Sequence, residues 1–164
     1  MSVLRPIGPA DFPAVLAWNQ AHVELLAPLS EDRLQELLGW TDLGSVITDA
    51  GRDLGFVLTF PAGTGYDSPN YRWFTEHAAA SGWDTFYYLD RVVVDPAVRR
   101  TGLGTRVYDE IEDRAREVGR VMCLEVNLDP PNEPSLAFHR RRGYVEVGQD
   151  AATGHVVSLM AKDL

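Results

Sequence analysis

Two glycines and two arginines lie between a predicted strand and a predicted helix in the segment VVVDPAVRRTGLGTRVYDEI. Gly102 and Gly104 allow close approach to the backbone, and the first turn of the helix presents unpaired N–H groups at the positive end of its dipole. Because Arg99 and Arg100 add positive charge, this turn is a candidate cradle for a diphosphate. Simple helix capping is the alternative. The turn is neither a Walker sequence nor the dinucleotide fingerprint, since it lacks Gly-Lys-Ser/Thr and the third glycine.

The same turn resembles a signature of the GNAT superfamily of N-acetyltransferases, Gln/Arg-x-x-Gly-x-Gly/Ala after a strand. Here it reads Arg99-x-x-Gly102-x-Gly104. A second signature of that family, Asn-x-x-Ala/Ser-x-x-x-Tyr-x-x-x-Gly-Phe/Tyr, is approximated by the residues from Asn132 to Tyr144. The segments DSPNYRWF, YLDRVVV and EVNLDPPNEPSLAFH are similar to a poorly characterised prokaryotic branch of the family, so the resemblance covers essentially the whole chain.

This resemblance implies that acetyl-CoA lies between two splayed parallel strands, which end at Val94 and Asn127. The pantetheine arm would pair with the backbone of the first strand, the glycine turn would hold the diphosphate, and the start of the following short helix would contact pantetheine or phosphate. The predicted cofactor-binding residues are Val92, Val94, Arg99, Arg100, Thr101, Gly102, Gly104, Thr105, Asn132 and Ser135.

Transfer to an amine requires two proton events, because an ammonium loses its proton and the departing thiolate is stabilised by a donor. The resemblance implies direct attack in a ternary complex. Asp90 is the predicted base, since it shares a strand face with Tyr88, Val92 and Val94, and desolvation beside an apolar acyl pocket would raise the pKa of a carboxylate. The alternative for Asp90 is an ion pair with a nearby arginine.

The predicted proton donor is His139, at the position where the family normally has tyrosine. A neutral imidazole donates one hydrogen bond and an imidazolium is a full acid, with an unperturbed pKa of about 6.5. The pH profile should therefore differ from that of a tyrosine donor. The alternative is that His139 only packs or binds CoA.

Candidate substrate contacts are Asn19, Asn70, Tyr71, Trp73, Tyr88 and Asn127. We expect acetyl transfer to a primary amine of a small molecule or an amino acid. A protein N-terminus or lysine side chain is an alternative acceptor. A non-catalytic acyl-CoA-binding module is another alternative, because a fold does not fix a function.

The composition limits the partners. A net charge of −9 argues against nucleic acid and weakly favours a cationic acceptor.

The single cysteine, Cys123, excludes an internal disulfide and indicates the cytoplasm; it lies in an apolar run and is expected to be buried. The four histidines lack paired ligand spacing, so no metal is expected. No signal peptide or membrane span is expected, and a homodimer remains open.

The elements that must position these residues follow from hydrophobic periodicity and turn residues. We expect strands at 3–7, 45–49, 54–60, 85–94, 121–127, 144–147 and 155–160, and helices starting after Asp11 and Ser30 and near Leu103 and Asn132. Residues 61–83 are expected to form a long loop, either packed or covering a substrate. These elements predict an α/β (α+β) fold with a mixed sheet and helices on its faces. The resemblance implies one GNAT-like domain, 1–164, with a mixed, mostly antiparallel central sheet, helices on both faces and splayed strands binding CoA.

Overall fold

The computed structural model describes residues 1–24 and 26–164, which contain seven strands and five α-helices. In chain order these are β1 (Leu4–Pro6), α1 (Phe12–Gln20), α2 (Glu31–Leu38), β2 (Gly44–Asp49), β3 (Arg52–Pro61), α3 (Pro69–Ser81), β4 (Tyr87–Val94), α4 (Leu103–Val118), β5 (Val121–Asp129), α5 (Glu133–Arg141), β6 (Val145–Asp150) and β7 (Val156–Asp163). Strands β4 and β5 pair in parallel, whereas β1–β2, β2–β3, β5–β7 and β6–β7 are antiparallel. The predicted mixed, mostly antiparallel α/β class is confirmed.

The first of two compact units comprises residues Met1–Phe60 and Leu89–Arg114. Its strands lie in the order β1-β2-β3-β4. A Cβ at Gly55 of β3 would clash with the carbonyl oxygen of Val93 on β4, so the two backbones approach closely there. The core of this unit includes Val15, Leu34, Leu37, Ile47, Phe56, Leu58 and Ile111.

The second unit comprises Pro61–Tyr88 and Ala115–Leu164, with strands in the order β4-β5-β7-β6. The parallel register pairs Tyr87 with Met122 and Tyr88 with Cys123. Cys123 is fully buried, which confirms the expectation, and burial raises the pKa of its thiol well above the usual value, with Glu125 as a smaller contributor.

The predicted long loop at 61–83 is wrong, because residues 69–81 form α3. The Ser68 side chain accepts a hydrogen bond from the Tyr71 N–H, Pro69 occupies the first turn, and Gly82 closes the helix in the left-handed conformation. Tyr71, Phe74 and Ala78 form a short buried stripe with helical spacing. The turn residues flanking this stripe had suggested a loop.

Two predicted helix starts differ in how they are capped. The Ser30 hydroxyl accepts from the Arg33 N–H at 3.1 Å and caps α2 as expected. Asp11 precedes α1, but its side chain does not cap that helix. Instead its carboxylate accepts from Arg5 at 2.9 Å and from the Gly8 N–H at 2.8 Å, so it joins the first strand to the turn that follows.

The single-domain organisation and the cytoplasmic location stay predictions. Within residues 1–24 and 26–164, no helix combines the length and the apolar character that crossing a membrane requires.

Candidate active site

In the first unit, the turn between β4 and α4 is built by local hydrogen bonds. The Asp95 carboxylate accepts from the Ala97 N–H at 2.8 Å and caps a short 3-10 turn, Pro96–Val98. The Thr101 hydroxyl then donates to the Val98 carbonyl at 2.6 Å. Gly102 has φ of 86°, which a residue with a side chain rarely adopts, and α4 begins at the next residue. The glycine therefore lets the chain turn sharply into the helix.

This turn has the charge and the space that a diphosphate needs. Arg99, Arg100, Thr101 and Gly102 are exposed before the helix start, and Thr105 is exposed in the first turn of α4. A Cβ added at Gly102 or Gly104 would meet no atom of the described residues within 4 Å. The first N–H groups of α4 lack partners within the helix, so bare amides and two guanidiniums occupy one exposed stretch.

A pocket of about 480 Å³ lies against this turn within the first unit. Its walls are Trp18, Ala21, His22, Glu24, Asp95, Pro96 and Arg99. Arg99 thus belongs both to the glycine turn and to the pocket wall. Asp95 and Pro96 come from the same turn, whereas Trp18, Ala21, His22 and Glu24 come from the end of α1 and the connection to α2, which sequence reasoning did not associate with the pocket.

Asp90 lies on β4, where Asp90, Val92 and Val94 are half-buried and alternate with buried residues. Its carboxylate accepts a hydrogen bond from the Arg91 Nε at 3.1 Å, and both side chains are less than a tenth exposed. The ion pair considered as the alternative for Asp90 is therefore present. Arg91 also donates to the Asn19 side-chain oxygen at 2.8 Å. Asn19 is buried, and both ends of its amide are bonded within the protein.

In the second unit, α5 brings three predicted residues together. The Asn132 side-chain oxygen accepts from the Ser135 N–H at 3.3 Å and caps the helix. One turn further on, the Ser135 hydroxyl lies 3.2 Å from the His139 Nδ1. The predicted helix start at Asn132 is confirmed, and its side chain has a structural role in this cap.

His139 is held in one orientation by α5 and by aromatic neighbours. Its Nδ1 lies 2.7 Å from the Ser135 carbonyl oxygen, and because a carbonyl only accepts, Nδ1 carries the hydrogen. In the neutral ring, Nε2 then carries the lone pair. The ring is buried and makes edge contacts with Phe138 and Tyr144, with centroids 5.3 and 5.5 Å apart. This environment fixes the tautomer of a side chain that can carry protons.

Two of the candidate substrate residues, Tyr71 and Tyr88, lie in one aromatic cluster of the second unit. Their ring centroids are 5.7 Å apart. The Tyr71 hydroxyl donates to the Pro61 carbonyl at 2.7 Å and accepts from Thr64. The fully buried Tyr88 donates to the Glu125 carboxylate at 2.7 Å. Both tyrosines therefore have partners within the protein.

Asn70 and Trp73 lie on α3 in different environments. Asn70 is 5% exposed, and its Oδ1 is buried with no hydrogen-bond partner among the described residues. An unmet acceptor of this kind typically costs about 1–3 kcal/mol, so it calls for an explanation. Trp73 stacks on His77 with centroids 4.7 Å apart, and its ring packs over Gly148 of β6.

Asn127 lies where β5 changes register against β7, between Asn127 and Asp129. Its carbonyl accepts from the Asn132 N–H at 3.0 Å and so connects the strand to the start of α5. A bulge or similar irregularity of the strand is therefore present next to this residue. Among the described residues, no group of three or more histidine, cysteine or acidic side chains is arranged to hold a metal ion.

Sequence reasoning missed two partners of the predicted residues, Arg91 and Glu125. Arg91 is a charged residue at a position of β4 that faces the core. Because buried charges require partners, this position alone indicates that Arg91 has a hydrogen-bonded or ionic partner. For Glu125, the sequence signal was limited to its position on one face of β5. The hydrogen bond from Tyr88 depends on the pairing of β4 with β5.

Comparison with known proteins gives one family and several similar folds. The sequence model of the Acetyltransferase (GNAT) family matches residues 17–144. The N-alpha-acetyltransferase RimI of Mycobacterium tuberculosis is 40% identical over 62 residues, which is 38% of this chain and 37% of that protein. The chain thus matches little more than a third of the length of this relative.

Two solved structures from Arabidopsis thaliana share the fold. Naa50 in complex with the bisubstrate analogue CoA-Ac-MVNAL has a TM-score of 0.71 at 11% identity, covering 98% of this chain and 97% of that one. NAA60 in complex with acetyl-CoA has a TM-score of 0.71 at 16% identity, covering 98% of each chain.

Proposed function

Because the chain belongs to the acetyltransferase (GNAT) family, we propose that it transfers an acetyl group from acetyl-CoA to a primary amine by direct attack in a ternary complex. The observation that carries this proposal is the turn from Arg99 to Thr105, with its exposed guanidiniums, its glycine at positive φ and the open space at Gly104. Acetyl-CoA supplies an activated thioester, and a diphosphate fits the donors of this turn.

The remaining proposed cofactor contacts follow the elements that flank this turn. Val92 and Val94 present half-buried backbone at the end of β4 for the pantetheine arm. Asn132 and Ser135 lie in the first turn of α5 and contact pantetheine or phosphate in this proposal. They are supported by the two signatures of the sequence and not by an observed ligand.

Two side chains move protons in the proposed reaction. The Asp90 carboxylate accepts a proton from the acceptor ammonium, and this proton is released to solvent after turnover. The His139 Nε2 takes the second proton from the attacking nitrogen and passes it to the departing sulfur. Their burial supports these roles, because a shielded carboxylate and an oriented imidazole interact strongly with charges that develop nearby.

The proposed acceptor is a primary amine carried by a small cationic molecule or an amino acid. The net charge of −9 favours such an acceptor over an anionic one. Asn70, whose Oδ1 has no hydrogen-bond partner among the described residues, is a further proposed substrate contact. Asn19, Tyr71, Trp73, Tyr88 and Asn127 are proposed to shape the acceptor region through the contacts already described.

A peptide N-terminus is the second candidate acceptor. It is favoured by the match to RimI and by the similarity of the fold to Naa50, which was solved with the bisubstrate analogue CoA-Ac-MVNAL. A long loop over the acceptor side would disfavour a bulky peptide, but residues 69–81 form a helix instead.

The deciding experiment measures thiol release from acetyl-CoA with a panel of free amines and short peptides. We expect turnover with at least one free amine, and a decrease in kcat of about a hundredfold or more for Asp90→Asn. His139→Phe should lower kcat far more than it weakens CoA binding. Asp53→Asn, which changes an exposed carboxylate of the same unit, is the control and should retain activity.

Each of the other possible results would contradict a different part of the proposed function. Turnover with peptides alone would select the second candidate acceptor. Binding of acetyl-CoA without thiol release for any amine would indicate a non-catalytic binding module. If calorimetry at millimolar ligand showed no acetyl-CoA binding, the enzymatic assignment itself would be wrong.

A further inference from the structure

Arg91 is a buried cation that the proposed proton transfers do not use. It is 6% exposed, and its guanidinium has three acceptors in the first unit. Nε donates to Asp90 at 3.1 Å, while Nη1 donates both to the Asn19 Oδ1 at 2.8 Å and to the Ala27 carbonyl at 3.0 Å. Removing such a charge from water is unfavourable, and apolar replacements at buried ion pairs are often neutral for stability. Stability alone therefore does not account for Arg91.

The contacts of Arg91 close a loop. The Asn19 Nδ2 also donates to the Ala27 carbonyl, at 3.0 Å. Asn19 lies near the end of α1 and Ala27 lies within the connection from α1 to α2, and three hydrogen bonds among Arg91, Asn19 and the Ala27 carbonyl hold these two positions together. We call this arrangement the loop clamp. It ties the connection to β4.

The loop closed by this clamp forms one wall of the pocket at the glycine turn. Ala21, His22 and Glu24 belong to residues 20–26 and line the pocket beside Trp18. His22 is itself held, since its Nδ1 lies 3.0 Å from the Trp18 carbonyl. The opposite wall includes Arg99, which the proposed function assigns to the diphosphate of acetyl-CoA.

We propose that Arg91 and Asn19 are positioning residues that hold Ala21, His22 and Glu24, in the connection from α1 to α2, at the cofactor pocket and thereby set the affinity for acetyl-CoA. This inference rests on the proposed function. It replaces a direct substrate contact for Asn19 with an indirect role, because its amide is buried and bonded at both ends. Without the clamp the loop is free to move away, and the pocket loses a wall.

The test uses Asn19→Leu, which removes two of the three clamp bonds and keeps the Arg91–Asp90 pair. Hydrogen exchange of the amides of residues 20–27 measures the clamp without any ligand, and calorimetry measures acetyl-CoA binding. We expect faster exchange in this segment by about tenfold or more, and a Kd for acetyl-CoA raised about tenfold, which is about 1.4 kcal/mol. The KM for acetyl-CoA should rise by a larger factor than the one by which kcat falls.

Two further variants complete the test. Arg91→Lys keeps a positive charge beside Asp90 but lacks the planar fork that reaches Asn19 and Ala27 together. It should reproduce both effects, and it replaces Asn19→Leu if that variant does not fold. Arg114→Leu is the matched control, because it removes a double hydrogen bond to Asp42 in the same unit and does not touch the loop. It should change neither the exchange of residues 20–27 nor the Kd.

The outcomes separate the clamp from the proposed function. Unchanged exchange of residues 20–27 in both clamp variants would overturn the clamp. Faster exchange with an unchanged Kd would overturn its role in cofactor binding. If the unmodified protein bound no acetyl-CoA, the proposed function and this link to the cofactor would both be refuted, whatever the exchange result.

Discussion

Replacing Gly104 with valine should change cofactor affinity and stability differently. Gly104 lies in the first turn of α4, its φ is outside the left-handed region, and a Cβ there would meet no atom of the described residues within 4 Å. The fold therefore does not require a glycine here. Valine is a slightly better helix former than glycine, so the free energy of unfolding should stay the same or rise by up to about 0.5 kcal/mol.

The affinity for acetyl-CoA should decrease in the same variant. Two methyl groups would stand in front of the amides that are proposed to bind the diphosphate. Losing one charge-assisted hydrogen bond typically costs about 1.5–3 kcal/mol, so the Kd should rise between about tenfold and a hundredfold. Isothermal titration calorimetry gives the Kd, and urea denaturation gives the unfolding free energy.

Two controls make this prediction specific. Gly104→Ala should bind acetyl-CoA within about threefold of the unmodified protein, because a single methyl group leaves most of the space open. S-acetyl-pantetheine lacks the diphosphate, so Gly104→Val should not weaken its binding. Equal loss for both ligands, or no loss for acetyl-CoA, would refute the assignment of the turn to the diphosphate.

Three further predictions concern residues outside this turn. Hydrogen bonds from Arg5, and secondarily from a backbone N–H, lower the pKa of Asp11. Asp11→Asn should therefore lower the unfolding free energy by about 1 kcal/mol at pH 7. This difference should be fully present above the unfolded-state pKa of about 3.9, and it should disappear as the pH falls through the lower pKa that Asp11 has in the native state. Urea denaturation at a series of pH values measures it. Cys123 should not react with a thiol reagent at pH 8 until urea unfolds the protein, because burial raises its pKa; rapid native labelling would contradict this. Gly148→Val should lower the urea midpoint, because a Cβ there clashes with the Trp73 ring, and Trp73→Ala should relieve that loss.

Local patterns predicted the elements that local interactions define. The spacing of Leu103, Val107, Ile111, Ala115 and Val118 predicted α4; the first four are buried, whereas Val118, the last residue of the helix, is exposed. Ser30 and Asn132 marked helix starts because their side chains bond to amides three residues ahead. Residues 69–81 were missed because their buried stripe is short and lies among turn residues, so tertiary packing decides that helix.

The same distinction between local and long-range interactions applies to the residues of the candidate site. The residues from Arg99 to Thr105 are contiguous, so their spacing alone indicated an anion-binding turn. Contacts between distant residues were beyond a single sequence: Arg91 and Asn19 are 72 positions apart, and Tyr88 and Glu125 are 37 positions apart. Asn19 and Tyr88 were thus expected to contact substrate, whereas the fold gives both of them partners within the protein.

The tautomer of His139 leads to a last prediction, on the sign of the pH dependence. As an ammonium becomes an amide, its nitrogen loses two protons, the CoA sulfur gains one, and one goes to solvent. Because the His139 Nδ1 keeps its hydrogen on the Ser135 carbonyl, the neutral Nε2 is able to take the second proton from nitrogen and pass it to sulfur.

If neutral His139 relays the proton, kcat rises with pH as the imidazolium is converted to imidazole. If the imidazolium form of His139 is the proton donor instead, kcat falls over the same pH range. We expect the rise, and we expect His139→Gln, which cannot relay a proton, to lower kcat about a hundredfold and to remove that limb. The measurement is kcat at saturating substrates from pH 5 to 9. A falling limb would identify the imidazolium as the donor, and an unaltered profile in His139→Gln would exclude His139 from proton transfer.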